Sequence, residues 1–203
     1  MAESRLILAS ASPRRVQLLA QIGIHADIVK PADIDECPLP GELPRHHAKR
    51  LALGKAGKIS EKYTSGFVLA ADTVVGCGRR ILDKTEDENQ ARQHLKLLSG
   101  RRHRVYGAVC LITPEQNCLI RQVQTAVSFK VLHDDEIDGY IKSGEWQDKA
   151  GSYAIQGLAA RFITKISGSY SNVVGLPLYE TASLLEGAGY IKPGHSPCLP
   201  STP

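Results

Sequence analysis

Short apolar runs alternate along this chain with stretches whose apolar residues recur every three or four positions. Residues 5–9 form a brief, largely apolar run, the pattern of a buried strand. Ser12-Pro13 then opens a helix, because serine suits the cap and proline the first helical position. Leu18, Leu19 and Ile22 give that helix its apolar stripe, and Gly23 closes it. Residues 26–29 read as a second strand and residues 31–44 as a loop rich in proline and acid. Residues 45–61 have helical spacing, with Leu51, Ala52, Ala56 and Ile59 facing inward. Residues 67–75 are almost continuously apolar, as in a central strand buried on both faces.

A turn at 76–79 leads to a predicted helix at 85–98, with Thr85 and Glu88 as a capping box. Residues 105–112 and 119–132 form a strand pair around the turn residues 114–117. A helix at 134–142, strands at 152–155 and 161–166, and a helix at 177–187 complete the reading. Strands and helices alternate early and strands pair locally in the middle. The fold class is therefore α/β: a mixed twisted sheet flanked by helices. Residues 1–192 form one domain. The Pro- and Ser-rich residues 193–203 are expected to be a disordered tail.

Composition narrows the classes. The chain has 203 residues, 42% hydrophobic and 23% charged, with a net charge of +4. That is ordinary for one globular domain and offers no membrane span or targeting segment, so the expected location is the cytoplasm. The five cysteines, Cys37, Cys77, Cys110, Cys118 and Cys198, are scattered without a C-x-x-C pair, which argues against a disulfide framework or structural zinc. The P-loop, dinucleotide-binding and nucleophile-elbow patterns are all absent. His46 and His47 are adjacent and cannot share one helix face as ligands.

Position supplies the candidate chemistry. Arg14 and Arg15 occupy a first helical turn, where the helix dipole is already positive. That placement suits an anion, with Ser10 and Ser12 hydroxyls and free backbone N–H groups converging on phosphate oxygens. Asp72 lies inside the most apolar strand. A buried carboxylate must be paired, bound to metal or set at an open strand end beside a cleft. The competing reading is a structural aspartate that caps a neighbouring helix or pairs with an arginine. Lys55 and Lys84 add charge for polyphosphate. Gln156, between a short strand and Gly157, can both donate to and accept from a base edge. Residues 169–177 read as a loop entering a helix and a second anion nest.

These segments resemble one family. Leu8-Ala9-Ser10-x-Ser12-Pro13-Arg14-Arg15, Ala71-Asp72-Thr73-Val74-Val75, Lys84, Asp148-Lys149-Ala150-Gly151-x-Tyr153-x-Ile155-Gln156-Gly157 and Val174-Gly175-Leu176-Pro177 are similar, in order and spacing, to the Maf family of nucleotide pyrophosphatases. The resemblance implies two α/β lobes around a central cleft, and a homodimer that hydrolyses nucleoside triphosphates between the α- and β-phosphates. It also implies a divalent cation, Mg²⁺ first, with Mn²⁺ or Co²⁺ as alternatives. Thr73 and Gln156 resemble the dTTP/UTP branch rather than the 7-methyl-GTP branch. By carry-over Asp72 is catalytic, and Arg14, Thr73 and Gln156 select the base. Ser10, Ser12, Arg15, Lys55 and Lys84 are the phosphate-binding candidates, and Asp72 and Glu36 the metal ligands. One departure is Asp83-Lys84-Thr85, where many members read Gly-Lys-Pro. The competing readings are the same reaction on a modified purine triphosphate, and a non-catalytic nucleotide- or nucleic-acid-binding division regulator. The chain lacks the interleaving of basic and aromatic residues that favours nucleic acid.

Overall fold

A computed structural model describes residues 5–190; the expected tail at 193–203 lies outside them. Seven strands form one mixed sheet: β1 (Leu6–Leu8), β2 (Ile28–Val29), β3 (Phe67–Cys77), β4 (Arg80–Leu82), β5 (Arg102–Ile112), β6 (Cys118–Phe129) and β7 (Ile163–Ser167). The order is β2-β1-β3-β5-β6-β7, with β4 folded back on β3. Only the β1–β2 and β1–β3 pairings are parallel.

The helices are α1 (Pro13–Gln21), α2 (Pro44–Ser60), α3 (Glu88–Leu98), α4 (Asp134–Lys142), α5 (Tyr170–Val174) and α6 (Leu178–Gly187). They divide unequally between the two faces. Among the described residues α2 is the one helix on one face, packing Ala48, Ala52, Ala56 and Ile59 on Val68, Ala70 and Val74 of β3 and Ala108 and Cys110 of β5. Small residues on both sides let α2 lie close to the sheet. The other face is larger, with Leu18 and Leu19 of α1, Leu95 and Leu98 of α3, Ile137 and Tyr140 of α4 and Leu184 and Leu185 of α6. Alternate residues of β3 (Leu69, Ala71 and Val75) point into it.

One gap in the sheet places the site. Strand β1 accompanies β3 only as far as Leu8 opposite Leu69. Strand β4 rejoins β3 only at Val75 opposite Leu82. Between them β3 is paired with β5 on one side alone. Asp72 and Thr73 sit in this interval, at the crevice beyond the carboxyl end of β1, where open α/β sheets bind ligands.

Several local expectations need correction. The helix predicted from Thr85 begins at Glu88 instead, because Asp87 is the cap and its carboxylate accepts from the Asn89 N–H. The Thr85 hydroxyl is turned to Gln90 and receives the Asp87 N–H. Residues 152–155 are not a strand. Asp148, Gly151 and Ser152 all have left-handed φ values, which no strand accommodates, and Ala150–Ser152 is a 3-10 turn. Residues 169–177 hold the short helix α5, capped by the Ser169 hydroxyl accepting from the Asn172 N–H. The turn expected at 76–79 is tighter, at Gly78-Arg79, and β4 follows it.

Candidate functional site

Asp72 is 6% exposed, and its partner is Lys55 on α2. Even-numbered residues of β3 face α2, so Asp72 points toward this helix and Thr73 away from it. Lys55 Nζ donates to Asp72 Oδ1 at 2.6 Å and lies 2.8 Å from Glu36 Oε1. Two carboxylates thus converge on one ammonium, one from the central strand and one from the 31–43 loop. That loop is anchored by Glu42, which takes hydrogen bonds from Arg50 and the Leu39 N–H and touches His47. The Arg50 contact holds the Glu42 carboxyl down at about 2.

Beside this cluster a cavity of about 370 Å³ opens, lined among others by Arg14, Thr73, Lys84, Lys149 and Gln156. The cations crowd one another. Burial lowers the Lys149 pKa, and the charges of Arg14 and Lys84 lower it further. Lys84 Nζ pairs with Asp148 Oδ1 at 2.9 Å on the rim. Burial works to raise the Asp148 pKa, but the hydrogen bond and charge of Lys84 bring it below the usual value. Arg14 reaches the cavity with no hydrogen bond or ion pair to any described residue. Such a set of cations, with carboxylates at one end, has the charge pattern of a polyphosphate site with a cation at its base.

Arg15 also lines the cavity, but its guanidinium is tied to the protein. Its Nε donates to the Gly175 carbonyl at 2.9 Å and its guanidinium to Ser10 Oγ at 3.0 Å. Burial lowers its pKa, with the Asp72 charge acting in the opposite direction. Thr73 Oγ1 donates to the same Gly175 carbonyl at 3.2 Å. One carbonyl therefore ties together the start of α1, the open stretch of β3 and the end of α5. The Ser10 hydroxyl is spent on Arg15 and the Ser12 N–H, and Ser10 does not reach the cavity wall, whereas Ser12 does.

Three wall residues have no role assigned from sequence, although Lys149 and Tyr153 lie in the motif at 148–157 and Asp83 in the departure at 83–85. Asp83 is held above the usual carboxylate range, first by burial and then by Asp72, against the opposing charges of His47 and His94. Tyr153 closes the floor, its hydroxyl bonded to His103 Nε2 at 2.8 Å. Their place in the wall depends on the hairpin β3–β4 and on the left-handed turns after α4, which local pattern does not show.

The donor set suits a hard divalent cation. Asp72 and Glu36 bring two carboxylates together around the Lys55 ammonium. No group of three or more His, Cys, Asp or Glu residues gathers among the described residues. One or two carboxylates completed by phosphate oxygens and water is the habit of Mg²⁺. No helix among the described residues is long and apolar enough to cross a membrane.

The family model described as Maf-like protein matches residues 5–188. The dTTP/UTP pyrophosphatase of Paramagnetospirillum magneticum is 60% identical over 91% of this chain and 97% of its own length. That of Caulobacter vibrioides is 58% identical over 91% of this chain and 96% of its own. That of Rhodopseudomonas palustris is 56% identical over 92% and 93%.

Proposed function

The chain belongs to the Maf-like protein family, and from that premise we propose that it hydrolyses dTTP and UTP to the monophosphate and pyrophosphate. The observation that carries this reading is the meeting of Asp72 and Glu36 at Lys55 Nζ beneath a cavity walled by Arg14, Lys84 and Lys149. The shared substrate class of relatives at 56–60% identity supports the choice of pyrimidine triphosphates.

In this mechanism Arg14, Lys84 and Lys149 grip the triphosphate and offset charge that builds on the departing pyrophosphate. Lys55 occupies Asp72 Oδ1, leaving Oδ2 without a protein donor among the described residues. Oδ2 accepts the proton of the attacking water and aims it at the α-phosphorus. Through carboxylate oxygens other than those paired with Lys55, Asp72 and Glu36 would also hold a divalent cation, Mg²⁺ by preference, that would polarise phosphate oxygens. Arg15, although it also lines the cavity, positions rather than grips: it fixes the Gly175 carbonyl, and through it Thr73. Gln156, exposed on the rim, reads the pyrimidine edge. Most of the task is positioning and charge stabilisation, as in other phosphoryl chemistry. A cytoplasmic homodimer belongs to the same proposal, and sedimentation of the purified protein tests the dimer.

The decisive experiment is a panel of natural and modified triphosphates assayed for pyrophosphate with and without Mg²⁺. The expected result is metal-dependent pyrophosphate release, fastest from dTTP and UTP. Fastest turnover of a modified purine triphosphate would transfer the activity to that substrate. Binding without hydrolysis would leave a regulator rather than an enzyme.

A further inference from the structure

Outside the cleft, two cysteines meet across the longest hairpin. In the β5–β6 register Cys110 is opposite Ile120, and Ile112 is opposite Cys118. The two cysteines are therefore diagonal neighbours on one face of the sheet, the face that α2 covers. Their sulfur atoms are 3.5 Å apart. Cys110 is fully buried in the α2-side cluster, whereas Cys118 is exposed. Neither has a part in the proposed hydrolysis. Burial, and then the charge of Cys118, raise the Cys110 pKa. Thiol–disulfide exchange needs one thiol that solvent-borne reagents can reach and a second held within reach of it. This pair supplies both.

We infer that Cys110 and Cys118 form a reversible dithiol–disulfide site whose co-reactant is a low-molecular-weight disulfide such as oxidised glutathione. The Cys118 thiolate attacks one sulfur of the reagent. The reagent's S–S bond breaks, one glutathione thiolate leaves, and a mixed disulfide remains on Cys118. Cys110 then loses its proton and attacks Cys118 Sγ, expelling the second glutathione thiolate. Two cysteine thiols are oxidised, one disulfide is reduced, and the two thiol protons end on two molecules of glutathione. Burial sets the second step as the slower one, because the Cys110 thiolate must form in apolar surroundings.

Peptide mass spectrometry of the full-length protein tests this site. The protein is incubated with oxidised glutathione, denatured, blocked with iodoacetamide and cut with trypsin. Cleavage after Arg104 and Arg121 leaves both cysteines in one peptide, residues 105–121. The expected product is that peptide, unalkylated and lighter by two hydrogen atoms, with dithiothreitol restoring two alkylated cysteines. Cys110→Ser should trap glutathione on Cys118, and Cys118→Ser should leave Cys110 fully alkylated. Alkylation of both cysteines in the wild-type protein would overturn the inference. So would a mixed disulfide on Cys118 that persists while Cys110 remains alkylated. The wild-type result decides the matter even if either serine variant fails to fold.

Discussion

Two lysine–aspartate pairs lie along the same cleft and differ in almost everything except their chemistry. Lys55–Asp72 is 2.6 Å long with side chains 10% and 9% exposed, and Lys84–Asp148 is 2.9 Å long with side chains 58% and 72% exposed. The first is set under a helix against a central strand, with its charges largely removed from water. Each ion there depends on the other, because an unpaired charge at that depth is costly. The second sits on the rim, where water solvates each ion alone and the pair adds little stability. A buried pair can therefore hold a reacting carboxylate in place, while an exposed pair can part easily and lend its lysine to a ligand. The contrast assigns Lys55 to fixing Asp72 and Lys84 to exchanging Asp148 for phosphate.

The largest expected effect comes from the reacting member of the deep pair. Asp72→Asn should lower kcat by about 10²–10⁴-fold while nucleotide binding persists, because it removes the proton acceptor but keeps the shape. Steady-state kinetics with dTTP, beside a binding isotherm, checks this, and near-normal turnover would take Asp72 out of the mechanism. Removing the structural member should act on folding as well. Lys55→Met leaves Asp72 facing Glu36 without a cation and should cost about 3 kcal/mol in urea unfolding. A loss no larger than that of Lys84→Met would erase the distinction between the two pairs.

A third buried group sharpens the point by having no opposite charge at all. His103 is 1% exposed and bonded only to the neutral Tyr153 hydroxyl, and burial holds its pKa down at about 4. The folded state therefore binds fewer protons than the unfolded chain between pH 6.5 and about 4. Stability is complete above that window and falls as pH drops through it, by up to ~3 kcal/mol. His94, also lowered chiefly by burial, pulls the same way. His103→Phe should flatten the difference between urea midpoints measured at pH 7 and pH 4.5. An unchanged difference would assign the acid sensitivity to other groups.

Smaller effects belong to the rim. Lys84→Met should change stability by less than about 1 kcal/mol but raise the KM for dTTP severalfold. Unchanged KM would mean that Asp148 never releases Lys84. Gln156→Glu should shift the ratio of kcat/KM values away from dTTP and UTP with little change in unfolding, and a constant ratio would place selection elsewhere on the wall.

Much of the molecule could be read from local pattern. The apolar run of β3, the Ser12-Pro13 start of α1, the spacing of α2 and the limits of α4 depend on neighbours in sequence, and they appear where the pattern puts them. The importance of Asp72 was legible for the same reason, since a carboxylate in an oily strand demands an explanation within a few residues. Base selection and the metal rested on resemblance and remain proposals.

Partner choice could not be read in this way. Nothing near Lys55 in the sequence says that it is buried, because a helix turns every residue to a face and only packing decides which face meets the strand that bears Asp72. Adjacent arginines looked equivalent and both line the cavity, yet the roughly 100° between neighbouring helical residues ties Arg15 to the Gly175 carbonyl, 160 residues away, and leaves Arg14 without a hydrogen bond to any described residue. The sequence by itself determined most of the elements, though not β4, α5 or the turn at Ala150–Ser152, and the presence of a charged acid in an apolar strand, since these follow from short-range sterics and hydrophobic spacing. Only the tertiary structure decided which cation neutralises that acid, which carbonyl the second arginine holds and which sulfurs touch. Those contacts arise where β1 ends, β4 begins and β5 turns into β6, and chain closure over such distances is set by the packed whole.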